Sequence, residues 1–152
     1  MKKETLKGIT MVVLTITLAL ATAVVSASAQ SSNRVAATIP FDFTVGSKTM
    51  AAGDYILGSL TGDSEGLVVR SKDSGKSVVR LTNSIQPNAR ENRARLVFHR
   101  YGQRYFLAEV WGAGDSNGRR VTESSEERAI RREFGKLAQN SFERVELLAK
   151  LR

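Results

Sequence analysis

The stretch RLVFHRYGQRYFLAEVW, residues 95–111, contains two apolar and aromatic runs that meet at Gly102-Gln103. A glycine at the first loop position, followed by a polar residue, is typical of a two-residue type II′ turn, so we expect a β-hairpin with Gly102 at positive φ. The expected cross-strand pairs are Tyr101–Arg104, Arg100–Tyr105, His99–Phe106, Phe98–Leu107, Val97–Ala108 and Leu96–Glu109. Because both faces of this hairpin carry large apolar side chains, we expect the fold to cover both of them.

The segments before the hairpin have the patterns of further short strands. Every odd position from Val35 to Val45 is apolar, which predicts one strand with a buried face and with Pro40 at an edge or bulge. Other strands are predicted at Tyr55–Leu60, Leu67–Arg70 and Ser77–Thr82, with Gly53 and Gly75 at turns and with Asn83–Asn92 as a long connection. Together these patterns predict a mainly β fold over residues 30–121, an antiparallel β-sandwich or small barrel-like domain.

After Val121 the period of the apolar residues changes, and residues 122–152 are predicted to form a C-terminal amphipathic α-helix. Cap candidates and acidic residues open this segment, and Ile130, Phe134, Leu137, Val145 and Leu148 recur at steps of three and four. So long a stripe must be covered by the β domain, a second copy or lipid. We favour cover by a protein partner or by a second copy, through self-association of the C-terminal helix, over cover by the β domain or by lipid.

Residues 1–29 have the three parts of a secretory signal peptide. Lys2, Lys3 and Lys7 precede an uncharged run, and Ala27-Ser28-Ala29 then offers a small-x-small cleavage site. We expect cleavage after Ala29 and export to the periplasm or the exterior. Because the chain has 0 Cys, the exported domain would be stabilised by packing and hydrogen bonds without disulfides.

Three segments together resemble a family of small exported bacterial β-rich proteins of unassigned function. They are ATIPFDFTVG at residues 37–46, AGDY at residues 52–55, and residues 96–111. The resemblance extends over residues 35–121 and implies an exported β-rich domain, with no functional residues to carry over. Where that family usually has Leu-Pro-Ala-Gly, this chain has Met50-Ala51-Ala52-Gly53.

Two Gly-x-Ser-x-Gly sequences, at residues 62–66 and 114–118, provide the enzyme alternative. It is a small serine hydrolase that uses Ser64 or Ser116 with His99, the only histidine. A nucleophile elbow needs a strand leading directly into the serine and a helix directly after it. Neither serine has that predicted context, so we expect no catalytic residues.

No cofactor or metal site is predicted. One histidine and no cysteine exclude a His-rich or thiolate site. The sequence Asp115-Ser116-Asn117-Gly118 begins like a calcium loop but lacks the closing acid, and Gly75-Lys76-Ser77 ends like a phosphate loop but lacks its opening glycine.

The positive charge of the chain favours acidic partners. Lys and Arg number 23 against 15 Asp and Glu, a net charge of +8. The possible anion-binding residues are the arginines around the hairpin, namely Arg90, Arg93, Arg95, Arg100 and Arg104. The alternative is that these arginines form a solvated surface that protects a β-edge from aggregation.

These patterns predict an exported, non-enzymatic binding or structural module of the cell envelope or exterior that contacts an acidic envelope polymer or a protein partner. The alternatives are the serine hydrolase and a protein that associates with a membrane surface through its C-terminal helix.

Overall fold

The structure, a computed structural model, describes residues 34–60, 65–86, 93–113, 117–137 and 142–151. The predicted signal peptide and its cleavage site lie outside the described residues. All described residues belong to one compact unit, residues 32–152. The strands within it are β1 (Val35–Ile39), β2 (Phe43–Val45), β3 (Lys48–Met50), β4 (Gly53–Ser59), β5 (Gly66–Ser71), β6 (Ser77–Ile85), β7 (Arg95–Tyr101), β8 (Arg104–Trp111), β9 (Gly118–Val121), β10 (Glu143–Leu148) and β11 (Lys150–Leu151), and the helix is α1 (Ser125–Leu137).

The strands follow a barrel-like path in the order β10-β7-β8-β9-β6-β5-β4-β1-β11, with antiparallel neighbours throughout. β6 forms a corner, because residues 77–81 pair with β5 and residues 82–85 pair with β9. The two ends of the path, β10 and β11, are separated in the chain by Ala149 alone. Off the path, β2 pairs with β3 and, in parallel, with β8. The predicted fold class is confirmed: it is mainly β, an antiparallel β-sandwich or small barrel-like domain with a helix towards the C-terminus.

The first strand segment is split in two. The alternation predicted for Val35–Val45 is present in β1, whose odd positions are buried, but β1 ends at Ile39 and β2 begins at Phe43. Pro40 lies at the break, where its missing N–H removes a ladder hydrogen bond. A further correction concerns the predicted connection Asn83–Asn92, because its first residues, 83–85, extend β6.

The hairpin forms as predicted near its turn and differs further away. Gly102 has φ 61°, and the pairs from Tyr101–Arg104 to Phe98–Leu107 are those expected. A β-bulge then skips Ala108, so Val97 pairs with Glu109 and Leu96 with Val110. The predicted Val97–Ala108 and Leu96–Glu109 pairs are therefore wrong. The bulge places Leu96 and Val110 together in the core instead of opposing a leucine to a carboxylate.

The single helix predicted over residues 122–152 is wrong beyond Leu137. Residues 143–148 form β10, which pairs with β7 from Arg95 to Arg100, and residues 150–151 form β11 on β1. In β10 the period is two, because Val145 and Leu147 pack against the core while Leu148 is 72% exposed. The C-terminal segment therefore completes the β domain and is not a separate unit after residue 121.

α1 begins close to the predicted caps and packs on its own hairpin. The Glu127 N–H donates to Ser124 Oγ at 3.0 Å, which caps the first turn. Phe134 meets Tyr101 edge-on at 5.9 Å, and Glu127 is buried beside His99. The long apolar stripe from which self-association and membrane association were expected is thus not formed. Among the residues that the structure describes, no helix has both the length and the hydropathy to cross a membrane.

Candidate functional site

The arginines around the hairpin do not form one anion site. Arg90 lies outside the described residues, and Arg93 is exposed. The other three each lie beside a glutamate: Arg95 Nε is 3.9 Å from Glu146 Oε2, Arg100 NH1 donates to Glu143 Oε2 at 3.1 Å, and Arg104 NH2 donates to Glu126 Oε1. Because β10 and α1 supply these carboxylates, the positive charge that the sequence concentrates here is largely balanced.

The outer face of the hairpin is built around the buried carboxylate of Glu109, which is 4% exposed. Trp111 Nε1 donates to Oε2 at 3.0 Å, Arg120 NH2 donates to Oε1 at 3.1 Å, and Arg144 NH2 donates to Oε2 at 3.3 Å. The Trp111 ring lies under the Arg95 guanidinium, 4.7 Å away. A Cβ on Gly118 would lie 2.5 Å from the Trp111 ring, so the indole packs directly on the glycine. Both faces of the hairpin are therefore covered, as expected.

Burial alone would raise the pKa of Glu109, but the hydrogen bonds from Trp111 and Arg120 and the charges of Arg144 and Arg120 outweigh it, so this pKa is lowered from its ordinary 4.5. A lowered folded-state pKa means that the carboxylate stabilises the fold above pH 4.5 and that this stability is lost as the pH falls through the folded-state value.

We therefore predict that Glu109→Gln lowers the melting temperature at pH 7 and that the difference from the unsubstituted protein shrinks below pH 4.5. Glu126→Gln, at a side chain of α1 that is 47% exposed, is the control and should change little at either pH. A Glu109→Gln deficit that stays constant from neutral to acid pH would contradict the assigned role.

Under α1 lies a second polar cluster. His99 Nδ1 is 3.0 Å from Glu127 Oε1, and one ligand atom from each of His99, Glu123 and Glu127 lies within 4.8 Å of the others. Burial and the charges of Glu127 and Glu123 raise the pKa of Tyr101 to about 12. The serines of the hydrolase alternative, Ser64 and Ser116, lie outside the described residues, while His99 is held by Glu127.

A groove of about 450 Å³ lies on the outer face of β4 and β5. Its lining combines cationic side chains, aliphatic side chains and small residues: Arg34, Arg70 and Lys72; Ile56, Leu60 and Val68; Gly58, Ser59, Ser71 and Gly75. Within the described ranges, none of the three cations has an ion-pair partner. This contrasts with the hairpin arginines, whose charges are matched by glutamates.

The register places the groove residues on one face. Ile56 pairs with Arg70, and Gly58 pairs with Val68, so these side chains point to the same side of the sheet. A Cβ on Gly58 would lie 3.1 Å from Arg34 Cγ, so the glycine leaves room for the arginine stem. Arg34 therefore lines the groove together with its aliphatic floor, the side chains of Ile56, Leu60 and Val68.

The aliphatic surface continues beyond the groove onto β6. Val68 pairs with Val79, which is 52% exposed, and Gly66 pairs with Leu81, which is 68% exposed. Leu60, at the groove end of this face, is 59% exposed. Exposed aliphatic side chains beside cations that have no ion-pair partner among the described residues are unusual for a surface that contacts only water.

Sequence reasoning missed this groove because its cations come from three separate places, before β1, in β5 and after β5. One feature of the sequence did indicate an apolar outer face on these strands. The runs Leu67-Val68-Val69 and Val78-Val79 are apolar at consecutive positions, which indicates strands with apolar side chains on both faces.

No protein-family model, curated protein or solved structure matches this chain.

Proposed function

We propose that this protein is an exported, non-enzymatic binding module of the cell envelope or exterior, and that its groove binds an acidic amphiphile, a molecule with a carboxylate or phosphate group on an aliphatic body. Export is inferred from the sequence of residues 1–29. The observation that carries the ligand class is the groove itself, in which cations without ion-pair partners among the described residues border an aliphatic floor.

The charges favour an anionic head group. Arg34, Arg70 and Lys72 all line the groove, and the Arg34 stem lies against Gly58. Arginine presents a fork of N–H donors that suits carboxylate or phosphate oxygens, and lysine adds a mobile point charge. Since no carboxylate in the described residues is paired with these side chains, an incoming anion would displace no ion-pair partner among those residues.

The floor favours an aliphatic body over a sugar or a base. Ile56, Leu60 and Val68 line the groove, and its lining contains no aromatic ring on which a sugar or base face stacks. The volume, about 450 Å³, falls in the range of small-ligand sites. Burying a CH₂ group on such a surface contributes about 0.8 kcal/mol, so a chain of moderate length adds to a weak charge interaction.

The test is equilibrium binding of dodecyl phosphate below its micelle concentration, compared with uncharged dodecanol. We expect saturable binding of the phosphate that weakens as ionic strength rises, since partly exposed charges are screened. Arg34→Gln, Arg70→Gln and Lys72→Gln are each expected to weaken it about three- to tenfold, with unchanged melting temperatures.

Arg93→Gln is the matched control, because it removes an equally exposed positive charge away from the groove. It should leave dodecyl phosphate binding unchanged. If the triple groove variant binds as well as the unsubstituted protein, the groove is not the site. If an acidic polysaccharide binds instead and Arg93→Gln weakens that binding, the ligand is an acidic polymer at the hairpin.

A further inference from the structure

The cluster under α1 contains the chemical groups of a metal site on three separate pieces of the chain. His99 comes from β7, Glu123 from the segment before α1, and Glu127 from the first turn of α1. An imidazole nitrogen with two carboxylate oxygens is a donor set that suits Zn²⁺ and similar first-row divalent ions better than Mg²⁺ or Ca²⁺, which prefer oxygen alone.

The geometry is close to that of a coordination shell. In a tetrahedral zinc site, metal–ligand bonds of about 2.0–2.1 Å place the ligand atoms about 3.3 Å apart. His99 Nδ1 and Glu127 Oε1 are already 3.0 Å apart, and all three ligand atoms lie within 4.8 Å of one another. Side-chain rotation at Glu123, which is 28% exposed, would close the remaining distance.

An independent observation comes from Tyr101. Its side chain is 1% exposed, and its hydroxyl is buried with no hydrogen-bond partner among the described residues. The Phe142 ring meets both the His99 ring, at 4.0 Å, and the Tyr101 ring, at 5.9 Å, so Tyr101 lies beside the cluster. A buried, unsatisfied polar atom beside a ligand set is a place where an ion or an ion-bound water is expected.

The surroundings fit a buried cation. Glu127 is 5% exposed, and a buried carboxylate needs positive charge nearby. The ring of Phe142 lies 4.0 Å from the His99 ring and covers it, while Phe134 and Phe106 pack on Tyr101. Arg131 NH1 lies 3.2 Å from Glu123 Oε1 and opposes a cation, but its side chain is 43% exposed and can turn to solvent.

We propose that His99, Glu123 and Glu127 bind a Zn²⁺-type divalent metal ion, with the Tyr101 hydroxyl donating a hydrogen bond to a ligand carboxylate or to an ion-bound water. The ion would join α1 to the β7–β8 hairpin. This inference is independent of the groove ligand, since the two sites share no residue.

The experiment is titration of chelator-treated full-length protein with ZnCl₂, followed by calorimetry and melting temperature, with Co²⁺ as a spectroscopic probe. We expect one ion per chain, a raised melting temperature, and a visible absorption band on Co²⁺ addition that Zn²⁺ removes. Ca²⁺ and Mg²⁺ at the same concentration should not compete.

Variants locate the ion. His99→Gln, Glu123→Gln and Glu127→Gln should each weaken Zn²⁺ binding by about tenfold or more, and Tyr101→Phe by about tenfold without loss of its ring contacts. Glu126→Gln is the matched control, because its exposed carboxylate neighbours Glu127 in sequence and pairs with Arg104. Arg131→Ala should bind Zn²⁺ at least as tightly as the unsubstituted protein, since a repelling charge is removed.

If Glu127→Gln fails to fold, Glu123→Gln decides the question, because Glu123 lies outside the helix and is partly exposed. The proposal is overturned if the unsubstituted protein shows no saturable Zn²⁺ binding. It is equally overturned if His99→Gln and Glu123→Gln bind Zn²⁺ as tightly as Glu126→Gln does.

Discussion

Deleting residues 142–152 is expected to abolish cooperative folding of the β domain. β10 pairs with β7 from Arg95 to Arg100, and β7 holds Leu96, Val97 and Phe98, each 0% exposed. The same deletion removes β11 from β1, so the strand path loses its last strand at both ends. Far-ultraviolet circular dichroism during heating should show no sigmoidal transition for the truncated chain.

Two adjacent leucines in β10 test whether this strand stabilises the fold through its core-facing side chains. Leu147 packs against the core, whereas its neighbour Leu148 is 72% exposed. Leu147→Ala should lower the melting temperature clearly, and Leu148→Ala should have little effect. A truncated chain that still melts cooperatively near the original temperature would mean that the β domain folds without β10 and β11.

The second large effect is expected for Phe98→Ala. The Phe98 ring meets Phe41 and Phe43 edge-on, with centroid distances of 5.2 and 5.5 Å, at the centre of the core. Removing it leaves a cavity and takes one edge-on ring contact from each of Phe41 and Phe43, at a cost of about 3–5 kcal/mol in the free energy of unfolding. That is a large fraction of the roughly 5–15 kcal/mol that stabilises a domain. Urea denaturation, with the midpoint and slope fitted together, measures it.

Phe142→Ala provides the comparison, because this ring is 37% exposed and its loss leaves no closed cavity. Its cost should be on the order of 1 kcal/mol. Equal destabilisation by the two substitutions would place Phe98 outside the main core and contradict the packing described.

The sequence predicted the fold best where the signal is local. The turn at Gly102 and the pairs up to Phe98–Leu107 follow from the spacing of residues around a tight turn. The bulge at Ala108 could not be read in the same way, because an extra residue in one strand does not alter that strand's own composition. It is decided by which side chains reach the core, a property of the whole barrel.

The segment 143–148, Glu-Arg-Val-Glu-Leu-Leu, shows why the C-terminal prediction failed. Val145 and Leu147 fit a period of two, while Val145 and Leu148 fit a helical step of three. A short segment cannot distinguish these alternatives without the pairing of β10 with β7. The error carried over to the candidate site, since Glu143 and Glu146, assigned to a helix, are in fact partners of Arg100 and Arg95.

Trp111 also makes the intrinsic fluorescence of the protein informative. It is the single tryptophan of the chain, and its indole lies between the Arg95 guanidinium and the Gly118 backbone while donating to Glu109. Indole emission responds to nearby charge and to water, so the molecule contains a built-in fluorescent reporter at one known position. With excitation selective for indole, acid titration of that emission will report on the Glu109 carboxylate that Trp111 contacts, without any label.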